Sequence, residues 1–159
     1  MSAKYPLAPL LRVRDSKVDA AALALAEAVG TRETAEAQCR QAESVLARAL
    51  REAEQVRHLE RAALDRHELS VSDLARRDAW EHRIARERMA LEGSLSFARE
   101  AEVEANRAEA AARRDVVLRE ADAGVVEKDR EKWLFAEGRR AEAREEEGAA
   151  EAWRPRKEG

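Results

Sequence analysis

Few residues in this chain are spaced for chemistry. His67-Glu68 opens like a zinc-protease helix motif, but Val71 stands where the second metal-binding histidine belongs. His58 and His82 read as polar positions on solvated helix faces. The six glycines are scattered singly, so no loop cradles a phosphate, and no Ser or Cys nucleophile has a base at recognisable spacing. Cys39 is the single cysteine, without the neighbours of a metal site or a partner for an intramolecular disulfide, and a reducing cytoplasm fits. The expectation is a non-enzymatic protein with no catalytic residue, no metal and no cofactor.

Composition points to long helices. Alanine supplies about a fifth of the 159 residues, 40% are charged, and only 4% are aromatic. Ala, Glu, Arg and Leu dominate, as in coiled coils, and the bulky apolar content is too small to fill a compact interior. Acidic and basic residues nearly cancel, for a net charge of −3, and are interspersed along the chain. That argues against nucleic acid as a partner. No apolar run approaches the ~18 residues of a membrane span, and no signal-peptide core is present, so direct membrane insertion is not expected.

The chain is organised by Leu69-Ser70-Val71-Ser72-Asp73-Leu74, which interrupts helix-forming sequence on both sides. Ser70 is placed to cap a new helix, its hydroxyl accepting the Asp73 N–H, with Asp73 at the positive end of the helix dipole. Leu69 and Leu74 have hydrophobic-staple spacing. Met1 to Tyr5 read as a loose arm, and Pro6 and Pro9 suit a first helical turn. Leu11, Val18, Leu25, Cys39, Leu46 and Ala53 then form a seven-residue repeat that fails once, at Arg32. A second row, Ala22, Val29, Ala35, Ala42, Ala49 and Val56, completes a weak seam, and Gly30 reads as a glycine tolerated inside the helix.

The second helix carries Leu74, Trp80, Ile84, Leu91, Leu95 and Ala98 on approximately one face, then turns alanine-rich from Ala101 to Ala112. Small side chains bury little apolar area per turn, so this middle section is expected to be the least stable. The expected fold is all-α: a long antiparallel two-helix coiled-coil hairpin turning near residues 69–72. Helix 1 spans about 7–68 and helix 2 about 71–147, within one unit of 1–147, and 148–159 form a flexible tail. Folding about Ser70 pairs residues whose numbers sum to about 140. Val56 then faces Ile84, Leu46 faces Leu91 and Leu95, and Leu7, Leu10 and Leu11 face Trp133, Leu134 and Phe135.

Lys4-Tyr5-Pro6-Leu7-Ala8-Pro9-Leu10-Leu11-Arg12-Val13-Arg14, followed by Lys17-Val18-Asp19 and a long charged helix, resembles the start of the YscO/FliJ family of type III secretion stalk proteins. The injectisome YscO branch is the nearer one. The resemblance implies a cytoplasmic, monomeric helical hairpin that inserts its termini into a hexameric secretion ATPase and reaches with its turn toward the membrane export gate. It implies ATPase contacts at Leu7, Leu10, Leu11, Arg12 and Arg14, with Trp133 and Phe135 opposite. Leu69, Val71 and Trp80 are the export-gate candidates, and export chaperones are further partners the family implies.

Each candidate has a plainer reading. Trp133 and Phe135 serve equally well as seam packing, and Arg12 and Arg14 as solvated surface. An exposed Trp80 would mark a binding hot spot, whereas a seam tryptophan would mean packing. The competing function is a cytoplasmic coiled-coil scaffold that self-associates without an ATPase.

Overall fold

The computed structural model describes residues 3–154. Two helices account for nearly all of them: α1, Ala8–Asp65, and α2, Val71–Ala152. No strand occurs among the described residues, and the helices run antiparallel as an all-α hairpin. Cross-helix partners confirm the pairing. Arg57 meets Glu81, Arg99 meets Glu43 and Arg32 meets Glu109, each pair summing to about 140. Packing divides the described residues into two units, one joining the segments up to Leu25 and from Ala112 onward, the other spanning Ala26–Ala111.

The turn shows why the chain reverses where it does. α1 stops at Asp65, three residues before the expected boundary, because His67 adopts the left-handed conformation at φ 57°. The His67 N–H donates to the Leu64 carbonyl and the Glu68 N–H to the Ala63 carbonyl, both at 3.0 Å. That is the double hydrogen bond of a Schellman C-cap, usually built on glycine. α2 then begins with a reciprocal cap. The Asp73 N–H donates to Ser70 Oγ at 3.2 Å, while the Ser70 N–H and hydroxyl both donate to the Asp73 carboxylate, at 2.9 and 2.7 Å. These bonds hold the Asp73 carboxyl below its ordinary pKa, the Ser70 N–H contributing most.

In the unit spanning Ala26–Ala111 the core is thin. Cys39, Leu95 and Ala98 are buried together, with Ala42 and Leu46 packed on them, so Leu46 and Leu95 meet as expected. Ala35, Ala53 and Ala105 are the other buried apolar side chains here. Arg32, the one failure of the heptad, keeps its seam position as an ion pair: its guanidinium engages buried Glu109 and, at 2.8 Å, Glu36. A charge in the seam survives because it is answered on both sides. α1 passes through Gly30 unbroken. Leu59 is 68% exposed and lies outside the seam.

In the unit joining the chain ends, Tyr5, Leu11 and Val126 are buried together, with Ala8 and Trp133 packed on them. This corrects two expectations. Tyr5 is not part of a loose arm: its hydroxyl donates to Asp129 at 2.6 Å, and its ring lies 5.6 Å from that of Trp133. Leu134 and Phe135 do not join Trp133 against α1 but are 50% and 69% exposed. Successive helical residues turn by about 100°, so three in a row cannot share one narrow seam. α2 also continues through Gly148 to Ala152, beyond the expected end at 147. Ala149, Ala150 and Ala152 are strong helix formers that offset one glycine, which costs about 1 kcal/mol. Residues 148–152 are therefore helical, and 155–159 of the expected tail lie outside the described residues.

Candidate functional site

At the chain ends, the side chains singled out from the sequence separate into packed and presented groups. Leu11 is 8% exposed and Trp133 is half-buried; both serve the Tyr5 cluster. Arg14 is half-buried, and its guanidinium donates to the Asp122 backbone carbonyl at 2.6 Å, tying α1 to α2. Leu7 and Leu10, 43% and 39% exposed, and the exposed Arg12 face outward. Phe135 is also presented, with the Arg139 guanidinium 6.0 Å from its ring, but about 200° around the helix from Trp133. The structure thus brings Leu11 and Trp133 into one cluster and leaves Leu7, Leu10, Arg12 and Phe135 available to a partner.

Tyr5 is the residue that sequence reasoning missed here. Its ring fills the space between the start of α1 and the 126–133 stretch of α2, and its hydroxyl also approaches the Val126 carbonyl at 3.4 Å. Burial, then the hydrogen bond to Asp129, pushes its pKa up to about 12, so the phenol is neutral and donating across the physiological range. The available signal was the single tyrosine of an aromatic-poor chain, placed just before Pro6. Leu118 and Val125 are 63% and 65% exposed and, about 20° apart on one stripe of α2, widen the apolar surface of this unit.

Near the turn, Trp80 is half-buried beside Leu46, Ala53, Val56 and Ile84, which line a groove of ≈ 200 Å³ with it. The Arg57 guanidinium lies 5.8 Å from its ring centroid and forks onto Glu81, with both N–H···O bonds at 2.9 Å. Glu81 is held below the usual carboxylate range chiefly by that bond, and Arg57 is raised by it. Trp80 therefore packs and braces the pairing of α1 with α2. Leu69 is half-buried and lines a neighbouring groove with Trp80 and Val56. Val71, by contrast, is 85% exposed at the first turn of α2, the most accessible apolar side chain of the turn.

Among the described residues no group of three or more His, Cys, Asp or Glu side chains is placed to hold a metal ion. The buried Cys39 thiol donates to the Glu43 carboxylate at 3.9 Å, and the Glu102 carboxylate, then burial, push its pKa up, which favours the thiol over the thiolate. What the arrangement presents outward is Leu7, Leu10, Arg12 and Phe135 at the chain ends and Val71 at the turn. No helix is long and apolar enough to cross a membrane among the described residues.

No protein-family model and no curated protein matches the sequence. Among solved structures, the chain is similar to one from Chlamydia trachomatis described as a proposed YscO homolog, CT670. The two share 22% identity with a TM-score of 0.77, over 94% of this chain and 91% of the other. The likeness establishes a shared two-helix fold across nearly the whole of both chains.

Proposed function

We propose that this chain is a YscO-like member of the YscO/FliJ group and acts as the central stalk of a type III secretion system. The observation that carries the reading is the near full-length likeness to the Chlamydia structure, joined to the Tyr5-to-Arg14 segment that resembles the family's start. In this reading the protein has no catalytic chemistry of its own. It docks in the pore of the hexameric secretion ATPase, and asymmetric contact between a helical pair and a six-fold ring links nucleotide state to export.

Leu7, Leu10 and Arg12 are the contacts we assign to the ATPase, with Phe135 on α2, because Leu10, Arg12 and Phe135 project from helices, and Leu7 from the turn just before α1, that other residues already fix. Leu11, Arg14 and Trp133 hold that shape. At the turn, Val71 is the contact we assign to the cytoplasmic part of the export gate, and Leu69 and Trp80 support it. The site of action is the cytoplasmic face of the membrane-embedded apparatus. Complementation tests the reading: a strain lacking this protein should regain secretion with the wild-type chain and lose most of it with Leu10→Asp/Arg12→Glu. Full secretion by that double variant contradicts the assignment.

A further inference from the structure

In the unit joining the chain ends, the outer side of α2 is apolar and basic at once. At about 100° per residue, Val117, Leu118, Val125 and Phe135 fall within one ~100° sector, and all four are exposed. Arg114, Lys128, Lys132 and Arg139, also exposed, fall in the same sector. Every Asp and Glu of residues 114–139 lies outside it. The middle of the sector is about 120° around the helix from the packed Val126 and Trp133, so α1 does not cover it. The stripe runs ~38 Å along α2. Its cations differ from their neighbours. Arg119 and Arg130, on other sides of the same stretch, pair with Asp115 and Glu127. Among the described residues Arg114, Lys128 and Lys132 have no ion-pair partner, and Arg139 lies against the Phe135 ring. The chain has 25 arginines and five lysines, and two of those lysines sit here, one turn apart. Arginine forks onto carboxylates, whereas lysine is a compact, hydrated charge that suits a diffuse anionic field.

The mixture selects the occupant. A nucleic-acid backbone would answer the cations and leave the exposed valines, leucine and phenylalanine against phosphate and water. A partner helix could follow the rows 114, 121, 128, 135 and 118, 125, 132, 139, which repeat every seven residues, but that seam would bury Lys128 and Lys132 at its centre. An anionic bilayer meets both demands on one surface. Its headgroups answer the charges, and the acyl boundary just beneath receives Val117, Leu118, Val125 and Phe135. The long Lys and Arg stems lie along the apolar layer while their heads stay in the wet one. We propose that this stripe of α2 is a peripheral contact for an anionic lipid surface, on which the helix lies along the interface without crossing it. The lipid-bound chain is a state outside any ring. Leu118, Val125, Lys128 and Lys132 are not among the contacts assigned to the ATPase or the gate, so either reading fails without the other.

Flotation of the full chain with vesicles is the test, comparing phosphatidylcholine and phosphatidylglycerol in equal parts with phosphatidylcholine alone. The expected result is binding to the anionic vesicles and not the neutral ones at low salt, reduced severalfold at high salt. Lys128→Gln/Lys132→Gln should weaken it by at least ~fivefold. Leu118→Gln/Val125→Gln should weaken it by an independent route, through lost apolar contact. Arg40→Gln/Arg48→Gln, the same loss of charge in the Ala26–Ala111 unit, should bind as wild type. All these positions are exposed, and glutamine is a good helix former, so circular dichroism should match wild type. A wild-type chain that fails to float with anionic vesicles at low salt overturns the proposal and leaves the stripe to an acidic protein surface. Equal binding to both vesicle types, or unaltered binding by the two stripe variants, overturns it as well.

Discussion

The Tyr5 hydroxyl donates to the Asp129 carboxylate at 2.6 Å, across 124 residues of sequence, while the Tyr5 ring packs on Trp133. One side chain thus fastens the start of α1 to α2 in the unit that carries Leu7, Leu10 and Arg12. Tyr5→Phe should keep the ring packing and lose the hydrogen bond, lowering the melting temperature by roughly 2 to 4 °C. Tyr5→Ala should lower it further and raise protease sensitivity at the chain's start. Limited proteolysis and thermal circular dichroism together check both outcomes.

The same pair sets an alkaline limit. Because the phenol is raised to about 12 in the fold, the folded chain holds this proton more tightly than the unfolded chain does. Its stabilisation is fully present below the ordinary tyrosine pKa near 10 and is lost as pH rises toward 12. Melting temperature should fall over that window in the wild type and less steeply in Tyr5→Phe.

At the turn, His67→Gly should stabilise the protein by about 0.5 to 1 kcal/mol, since glycine takes the left-handed cap without a Cβ clash. Ser70→Ala should destabilise it by about 1 kcal/mol by removing the cap of α2. The Asp73 carboxyl, depressed by Ser70, adds stability above the ordinary aspartate pKa near 3.9, and that part disappears as pH falls through its lowered value. Denaturant unfolding at neutral and acid pH measures all three.

In the Ala26–Ala111 unit, Leu95 and Phe97 should behave oppositely. Leu95 is 7% exposed in the Cys39 cluster, so Leu95→Ala should cost about 2 to 4 kcal/mol. Phe97 is 76% exposed, and Phe97→Ala should stay within about 0.5 kcal/mol. Equal effects in chemical denaturation would contradict the burial pattern.

The sequence carried the topology because its signals were local or periodic. The Ser70–Asp73 cap is written within four residues, and Leu46 against Leu95 follows once the turn is placed. What it did not carry is angular and long-range. Trp133, Leu134 and Phe135 look alike as a run, and only the direction of the seam separates the packed residue from the presented ones. Tyr5 gives no periodic signal because it precedes the helix, and its partner Asp129 lies on the second helix. Arg32 read as a break in the heptad until Glu109 appeared opposite it. Of the candidate contacts, exposure sorted Leu7, Leu10, Arg12, Phe135 and Val71 from the residues that pack, a distinction that residue type alone does not make.

The central claim is that the outward residues at the start of α1 engage a hexameric secretion ATPase. The decisive measurement is calorimetric titration of the purified full chain into its cognate ATPase hexamer, with Leu10→Asp/Arg12→Glu and Phe97→Ala in parallel. The expected result is about one chain per hexamer for wild type and Phe97→Ala, and binding weakened at least ~100-fold for the double variant, whose helicity is unchanged. No binding by the wild-type chain, or equal binding by the double variant, would contradict the claim.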